Sequence, residues 1–189
     1  TRGAGRGIAI ELGAAGATVY VTGRTTRSQQ SAYNRPETIE ETADLVNNAG
    51  GNGVAIQVDH LDAAQVENLY NRIVQEHQKL DILVNDIWGG EGAIEWNVPI
   101  WEQSLEKGLQ TLRNATETHI ITNHFLLPLL TRSERGVLFE ITDGTRAFNA
   151  SRYRDSLFYD LAKVTINRIA WALSHELRPY NCTAIALTP

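Results

Sequence analysis

The sequence predicts an α/β fold in which a doubly wound parallel sheet carries helices on both faces. Three observations lead there. Short β-branched apolar runs alternate along the chain with segments of helical periodicity, the pattern left by parallel strands joined through crossover helices. A glycine-rich turn, TRGAGRG at 1–7, opens directly into the first helical segment. The apolar run LDILVN at 80–85 leads at its carboxyl end into Asp86, and sheets of this class bind ligands at the carboxyl ends of their strands.

The first helix is expected over Arg6–Ala15, with Ile8, Ala9, Leu12 and Ala15 apolar and Gly16 ending it. A strand follows at Ala17–Thr22 (ATVYVT), closed by Gly23. Arg24–Arg35 is polar and reads as a loop. Pro36 then begins a helix that places Ile39, Ala43, Val46 and Ala49 on one stripe, and Gly50, Gly51 and Gly53 stop it. A strand is expected at Val54–Val58, a helix at Asp62–His77 and a strand at Leu80–Asn85. Trp101–Leu130 carries one long helix or two. Gly136–Thr142 is a strand, Leu157–Leu177 a helix ended by Pro179, and Cys182–Leu187 a final strand.

Composition limits what such a chain does. The 189 residues are enough for one domain with a sizeable core. A net charge of −5 and the lack of any polybasic run argue against nucleic acid and membrane surfaces as partners. The apolar stretch Phe125–Leu130, interrupted by Pro128, is too short to span a bilayer. A single cysteine, Cys182, excludes an internal disulfide framework and fits a reducing, cytoplasmic setting. The five histidines show no metal-ligand spacing, so no metal is expected.

Two motifs carry chemistry. In TRGAGRG the glycines let a backbone approach a pyrophosphate, and the helix N-terminus behind them offers free N–H groups and a partial positive charge. In Tyr159-Asp160-Leu161-Ala162-Lys163 the tyrosine and lysine share a helix face at i and i+4. A free phenol titrates near ~10 and is a poor acid–base group at neutral pH. A neighbouring ammonium stabilises the phenolate and lowers that value. A third pattern occurs twice, as LVNNAG at 45–50 and as LVNDIW at 83–88. The first copy lies at the end of an amphipathic helix and its Gly50 reads as a terminator. The second runs off the carboxyl end of a strand, so position alone makes the poorer copy the site and the better copy a decoy.

With these residues in hand the chain resembles the short-chain dehydrogenases/reductases over essentially its whole length, closest to the branch of dehydrogenase/reductase member one by its GRGIA start and HELRP helix end. The resemblance implies a Rossmann-like fold. Thr1, Arg2, Gly3, Ala4 and Gly5 look like the last five positions of the family's TGxxxGxG loop. Asp59, with His60 beside it, looks like the family's adenine contact, Asn85 like the first asparagine of its NNAG, and Tyr159 and Lys163 match its YxxxK. Thr188-Pro189 looks like the start of its segment beside the nicotinamide. The implied chemistry is hydride transfer between a nicotinamide and a carbonyl or alcohol carbon. Tyr159 would give or take the proton, while Lys163 would tune it and hold the nicotinamide ribose. The family commonly pairs through the helices that here are Trp101–Leu130 and Leu157–Leu177, where Ile120, Ile121, Phe125, Ile166, Ile169, Ala170 and Trp171 exceed one buried stripe. A homodimer or homotetramer is therefore expected. The family's first strand lies between the strands that here are Ala17–Thr22 and Leu80–Asn85, and this sequence contains no such segment. The expectation is a single NADP-binding domain over 1–189, clipped at both ends and lacking its first strand.

The sequence also departs from the family. Its catalytic serine position is filled by Asp143, flanked by Thr142 and Thr145. An ionised carboxylate cannot donate a hydrogen bond to a carbonyl oxygen, and it raises the pKa of a nearby phenol. Either a threonine hydroxyl substitutes, or Asp143 is held protonated, or turnover is impaired and the protein binds a dinucleotide as a sensor or interaction module. The helix asparagine used by the family falls near Asn114-Ala115. Ile87 and Trp88 replace a small Ala-Gly pair, with Gly89 and Gly90 behind them. A methyltransferase on a related sheet needs no Tyr/Lys pair and prefers an acid after its second strand, which this chain lacks. That position is Gly23 followed by Arg24, and Arg2 adds a second charge. A guanidinium binds a 2′-phosphate that a carboxylate would repel, so the expected cofactor is NADP(H) and the substrate a small carbonyl or alcohol compound.

Overall fold

The alternating segments fold into five strands and seven α-helices in the computed structural model, which describes residues 2–31 and 33–189. In chain order they are α1 (Gly3–Ala14), β1 (Thr18–Gly23), α2 (Ile39–Asn48), β2 (Asn52–Gln57), α3 (Ala63–Glu76) and β3 (Ile82–Asn85). Then follow α4 (Leu105–Leu112), a π turn (Arg113–Glu117), α5 (Thr118–Leu130), β4 (Val137–Ile141), α6 (Arg146–Ser151), α7 (Leu157–Glu176), a 3₁₀ turn (Arg178–Tyr180) and β5 (Thr183–Leu187). The chain divides into two compact units, Thr1–Leu69 and Tyr70–Pro189. All strand pairing is parallel, in two ladders, β1-β2 in the first unit and β3-β4-β5 in the second.

In the first unit β1 and β2 pair in register from Thr18↔Asn52 to Gly23↔Gln57. Ala9 of α1, Val21 of β1 and Ile39, Ala43 and Val46 of α2 form its buried cluster, with Val19 and Ala55 packed against it. Helix α2 starts three residues later than Pro36 suggests, because Thr38 is the residue that caps it: its hydroxyl accepts from Glu41 N at 3.1 Å. Gly53 allows the close approach of α2 to β2, since any Cβ there would overlap the Ala43 carbonyl.

In the second unit α7 packs on β4 and β5, α5 on β3, and α4 on α7. Phe158 fills the α4–α7 contact against Gly108, where a side chain would overlap the ring. The segment expected as one helix or two is a single helical run broken by the π turn, with Asn114 and Ala115 buried at the break. Of the residues expected on outward faces, Ile120 and Trp171 are exposed, whereas Ile166 and Ala170 are buried in the core. Helix α6 was not anticipated. It is six residues long, carries no apolar stripe, and is started by the Thr145 hydroxyl accepting from Phe148 N at 3.2 Å. No helix among the described residues is long and apolar enough to cross a membrane.

Candidate active site

The loop that leaves β4 sets the position of Asp143. Thr142 is buried, with its N–H bonded to the Leu187 carbonyl at 2.9 Å and its hydroxyl donating to the Lys163 carbonyl at 2.7 Å. Gly144 turns the chain at φ +82°, a value that favours glycine. Asn149 Nδ2 donates to the carbonyls of Asp143 (3.1 Å) and Gly144 (3.2 Å), and Asn167 Nδ2 donates to Gly144 O (3.2 Å). Gly144 N in turn donates to Thr188 Oγ1 at 3.1 Å, tying the loop to the end of β5. The loop is thus held on both sides, and neither flanking threonine is uncommitted: one hydroxyl is a donor to backbone, the other a helix cap.

Helix α7 presents Tyr159 and Lys163 one turn apart. The Tyr159 hydroxyl donates to Asp143 Oδ2 at 2.5 Å, and Arg154 Nη2 donates to the same oxygen. Burial, then the hydrogen bond and charge of Asp143, push the Tyr159 phenol up to about 12, with Arg154 opposing. The expected lowering of this pKa by Lys163 is not what the geometry gives. The Lys163 ammonium sits 3.9 Å from the Trp88 ring centroid and 5.5 Å from that of Tyr159, so it faces aromatic surfaces rather than the phenol oxygen. Its own pKa is lowered by burial, against the raising influence of Asp143 and Asp86, and Arg154 lowers it further. Trp88 meets the Tyr159 ring edge-on at 5.6 Å and Trp96 lies at 4.9 Å, so the phenol stands between two indoles.

Behind this surface lies a buried polar network at the end of β3. Asn85 Nδ2 donates to Asn123 Oδ1 (3.0 Å) and Glu140 Oε1 (3.1 Å), and Asn123 Nδ2 donates to Glu140 Oε1 (2.5 Å). His119 Nδ1 meets Glu140 Oε2, and His119 Nε2 lies 3.0 Å from the Ile87 carbonyl. A carbonyl only accepts, so Nε2 is the N–H that meets Ile87. The Asn85 amide therefore fixes the strand end internally rather than reaching out of it. By holding Ile87, the network sets the start of the loop that carries Trp88. Asn114, in the π turn, donates to Gly89 O at 2.7 Å. Gly89 and Gly90 are closed by Asn114 and the Trp88 ring, which a Cβ on Gly90 would approach to 2.6 Å.

In the first unit, α1 begins at Gly3 with no side-chain cap from Arg2 and no acidic residue in its first turn. No acidic residue of its own first turn competes at this positive end, and Gly3, Ala4 and Gly5 keep the approach small. These residues fit a pyrophosphate. Thr1 lies outside the described residues. Arg24, at the exit of β1, lies 3.9 Å from Asp59 Oδ2. Asp59 accepts from Leu61 N through Oδ1 at 3.0 Å, and His60 is buried with Nε2 2.9 Å from Thr22 Oγ1. Asn47 Oδ1 accepts from Gly53 N at 2.7 Å and Gly50 follows at φ +106°, so LVNNAG closes α2 as expected.

The structure thus joins Asp143, Thr142, Tyr159, Lys163 and, through Thr188, the neighbourhood of Pro189. It also brings in Arg154, Trp88, Trp96 and the Glu140–His119 pair, none of which was given a role from sequence. For Arg154 a signal existed: a carboxylate in a hydroxyl's place needs a counter-charge, and the spacer before Tyr159 contains RYR.

Parallel ladders covered by helices, a glycine-rich helix start and a tyrosine–lysine pair beside a strand end define a Rossmann-like α/β fold. The chain belongs to the family described as short chain dehydrogenase, whose sequence profile matches residues 1–189. It is similar to the member-one branch: the mouse protein named dehydrogenase/reductase SDR family member 1 is 28% identical over all of this chain and 57% of its own length. The human protein of that name is 27% identical with the same coverage. The chain therefore spans little more than half of these relatives. Among solved structures, a short chain dehydrogenase from Mycobacterium thermoresistibile superposes with a TM-score of 0.86 at 21% identity, covering all of this chain and 64% of that one. A metagenomic short-chain oxidoreductase in complex with NADP gives 0.81 at 19% identity, and an NADH-dependent reductase complexed with NAD gives 0.79 at 17%. They cover all of this chain and 77% and 74% of their own lengths.

Proposed function

We propose that this chain is an NADP(H)-dependent oxidoreductase acting on a carbonyl or alcohol carbon, with Tyr159 as general acid/base and Lys163 one helical turn from it. The observation that carries the reading is the Tyr159 hydroxyl, presented by α7 one turn from Lys163 and hydrogen-bonded to a strand-end carboxylate. The nicotinamide dinucleotide, when bound, supplies or accepts the hydride. Arg2, Gly3, Ala4 and Gly5 would hold its pyrophosphate at the start of α1. Arg24 favours a 2′-phosphate over a bare hydroxyl, with Asp59 beside it and no acid at the exit of β1. A phenol whose pKa lies near 12 keeps its proton through the neutral range, so Tyr159 is ready to donate to the oxygen of a carbonyl being reduced. To do so its hydroxyl turns from Asp143 Oδ2 to the substrate oxygen. Trp88 and Trp96 flank the phenol with apolar surface.

The test has two parts. Thermal shift with NADPH should exceed that with NADH, and NADPH should be consumed with at least one member of a panel of aldehydes and ketones. Tyr159→Phe should abolish that consumption and keep the NADPH shift, because only the proton donor is removed. An NADPH shift without turnover of any carbonyl by the parent chain would replace this reading with that of a binding module.

A further inference from the structure

We propose that Arg154 is the group that polarises the substrate carbonyl, and that Asp143 is the residue that positions it. The inference rests on the oxidoreductase reading above. The position that the resemblance assigns to a hydrogen-bond-donating serine holds a carboxylate, which cannot give a hydrogen bond to a carbonyl oxygen. Of the two nearby hydroxyls, Thr142 spends its proton on the Lys163 carbonyl at 2.7 Å, and Thr145 is held at the start of α6 as acceptor from Phe148 N at 3.2 Å, with no bond to Asp143 or Tyr159. The donor that stands beside the Tyr159 hydroxyl is the Arg154 guanidinium, since both meet the same atom, Asp143 Oδ2.

The guanidinium is well fixed for the task. Its carbon lies 5.2 Å from the Phe148 ring centroid and 5.7 Å from that of Tyr159, so two aromatic faces orient its plane. Its side chain is only 18% exposed. The bond to Asp143 uses Nη2, one corner of a fork with five N–H donors, and leaves the rest able to meet a second oxygen. As hydride reaches the carbonyl carbon, the C=O π bond breaks and its electron pair moves to oxygen. The Tyr159 O–H proton then passes to that oxygen, giving an alcohol and a phenolate. A fixed cation beside the developing alkoxide is stabilising in the transition state more than in the ground state. Asp143 accordingly anchors Arg154 and parks the Tyr159 hydroxyl between turnovers.

The experiment uses the intact chain and the panel carbonyl that it reduces fastest. Arg154→Met keeps the apolar packing on Phe148 and Tyr159 and removes the donors. The expected result is a loss of about 10²–10³ in kcat with an unchanged NADPH thermal shift. Millimolar guanidinium ion should restore part of that rate, and should restore nothing to Tyr159→Phe. The double variant Asp143→Asn/Arg154→Met removes the uncompensated carboxylate, which guards against a folding defect in the single variant, and should stay as slow. A double variant at the parent kcat would mean that Arg154 only balances the charge of Asp143, which overturns the proposal. If the parent chain binds NADPH and reduces nothing in the panel, the oxidoreductase reading itself falls, a result separable from the first because it appears before any variant is made.

Discussion

Glu140 and Asp143 lie three residues apart at the end of one strand, and their surroundings give them opposite roles. Glu140 is fully buried and takes Asn85 and Asn123 on one oxygen and His119 on the other. Asp143 is 37% exposed and holds two groups that can leave it, the Tyr159 hydroxyl and the Arg154 guanidinium. A carboxylate enclosed by donors that belong to the core is an architectural part. A carboxylate at the rim, whose donors are a titratable phenol and a partly free fork, is placed for the chemistry proposed above. Burial and the identity of the partners make this distinction, since the side chains differ by a single methylene.

The largest effect expected from this contrast is on stability. Glu140→Ala strips the acceptor from three buried donors and should cost about 3–5 kcal/mol in urea unfolding. Asp143→Ala, at the rim, should cost about 1 kcal/mol or less. Equal losses at the two positions would erase the distinction and show that water reaches the Glu140 network.

The next effect is on pH dependence. In the proposed reaction, oxidation of an alcohol requires the Tyr159 phenolate, whose fraction rises about tenfold per pH unit below the pKa. With that pKa pushed up to about 12 by burial first and Asp143 second, the oxidation rate should climb past pH 10 without a plateau. Reduction, which uses the protonated phenol, should be flat over the same range. Asp143→Asn removes the raising hydrogen bond to a charge and leaves burial in place, so the oxidation profile should move to lower pH without reaching that of a free phenol. An unmoved profile in initial-rate measurements would show that Asp143 does not hold the proton.

The smallest effect extends the comparison to a third carboxylate. Glu117 pairs with Arg113 at 3.1 Å across one helical turn, with side chains 53% and 58% exposed. Glu117→Gln should lower stability by about 0.3–0.5 kcal/mol, and the difference should vanish in ~1 M salt, where the Debye length is about 3 Å. A loss above about 1 kcal/mol would assign the pair a part in holding the π turn.

Much of this molecule is set by order along the chain. The alternation of β-branched runs with amphipathic segments determined parallel ladders covered by helices, because side-chain period and strand or helix identity are properties of a few neighbouring residues. The same holds for the start of α1, the closing of α2 by Asn47 and Gly50, and the shared face of Tyr159 and Lys163. Residue order also separated the two LVN copies, since a helix end and a strand end differ in what precedes them. The π turn, by contrast, has no local period to announce it, and α6 is too short to show one.

Tertiary structure decided which of the polar residues face one another. Asp143 finds Arg154 eleven residues on and Tyr159 sixteen residues on, Thr142 reaches a carbonyl twenty-one residues away, and Asn85 is bonded to residues thirty-eight and fifty-five positions distant. The sequence alone left three fates open for Asp143, and it placed Lys163 against the phenol oxygen. The folded chain turned Lys163 to Trp88 and gave Asp143 an arginine. The physical reason is that a hydrogen bond or ion pair takes its strength from distance, direction and exclusion of water. For residues far apart in the chain those three are fixed only when strands and helices have packed.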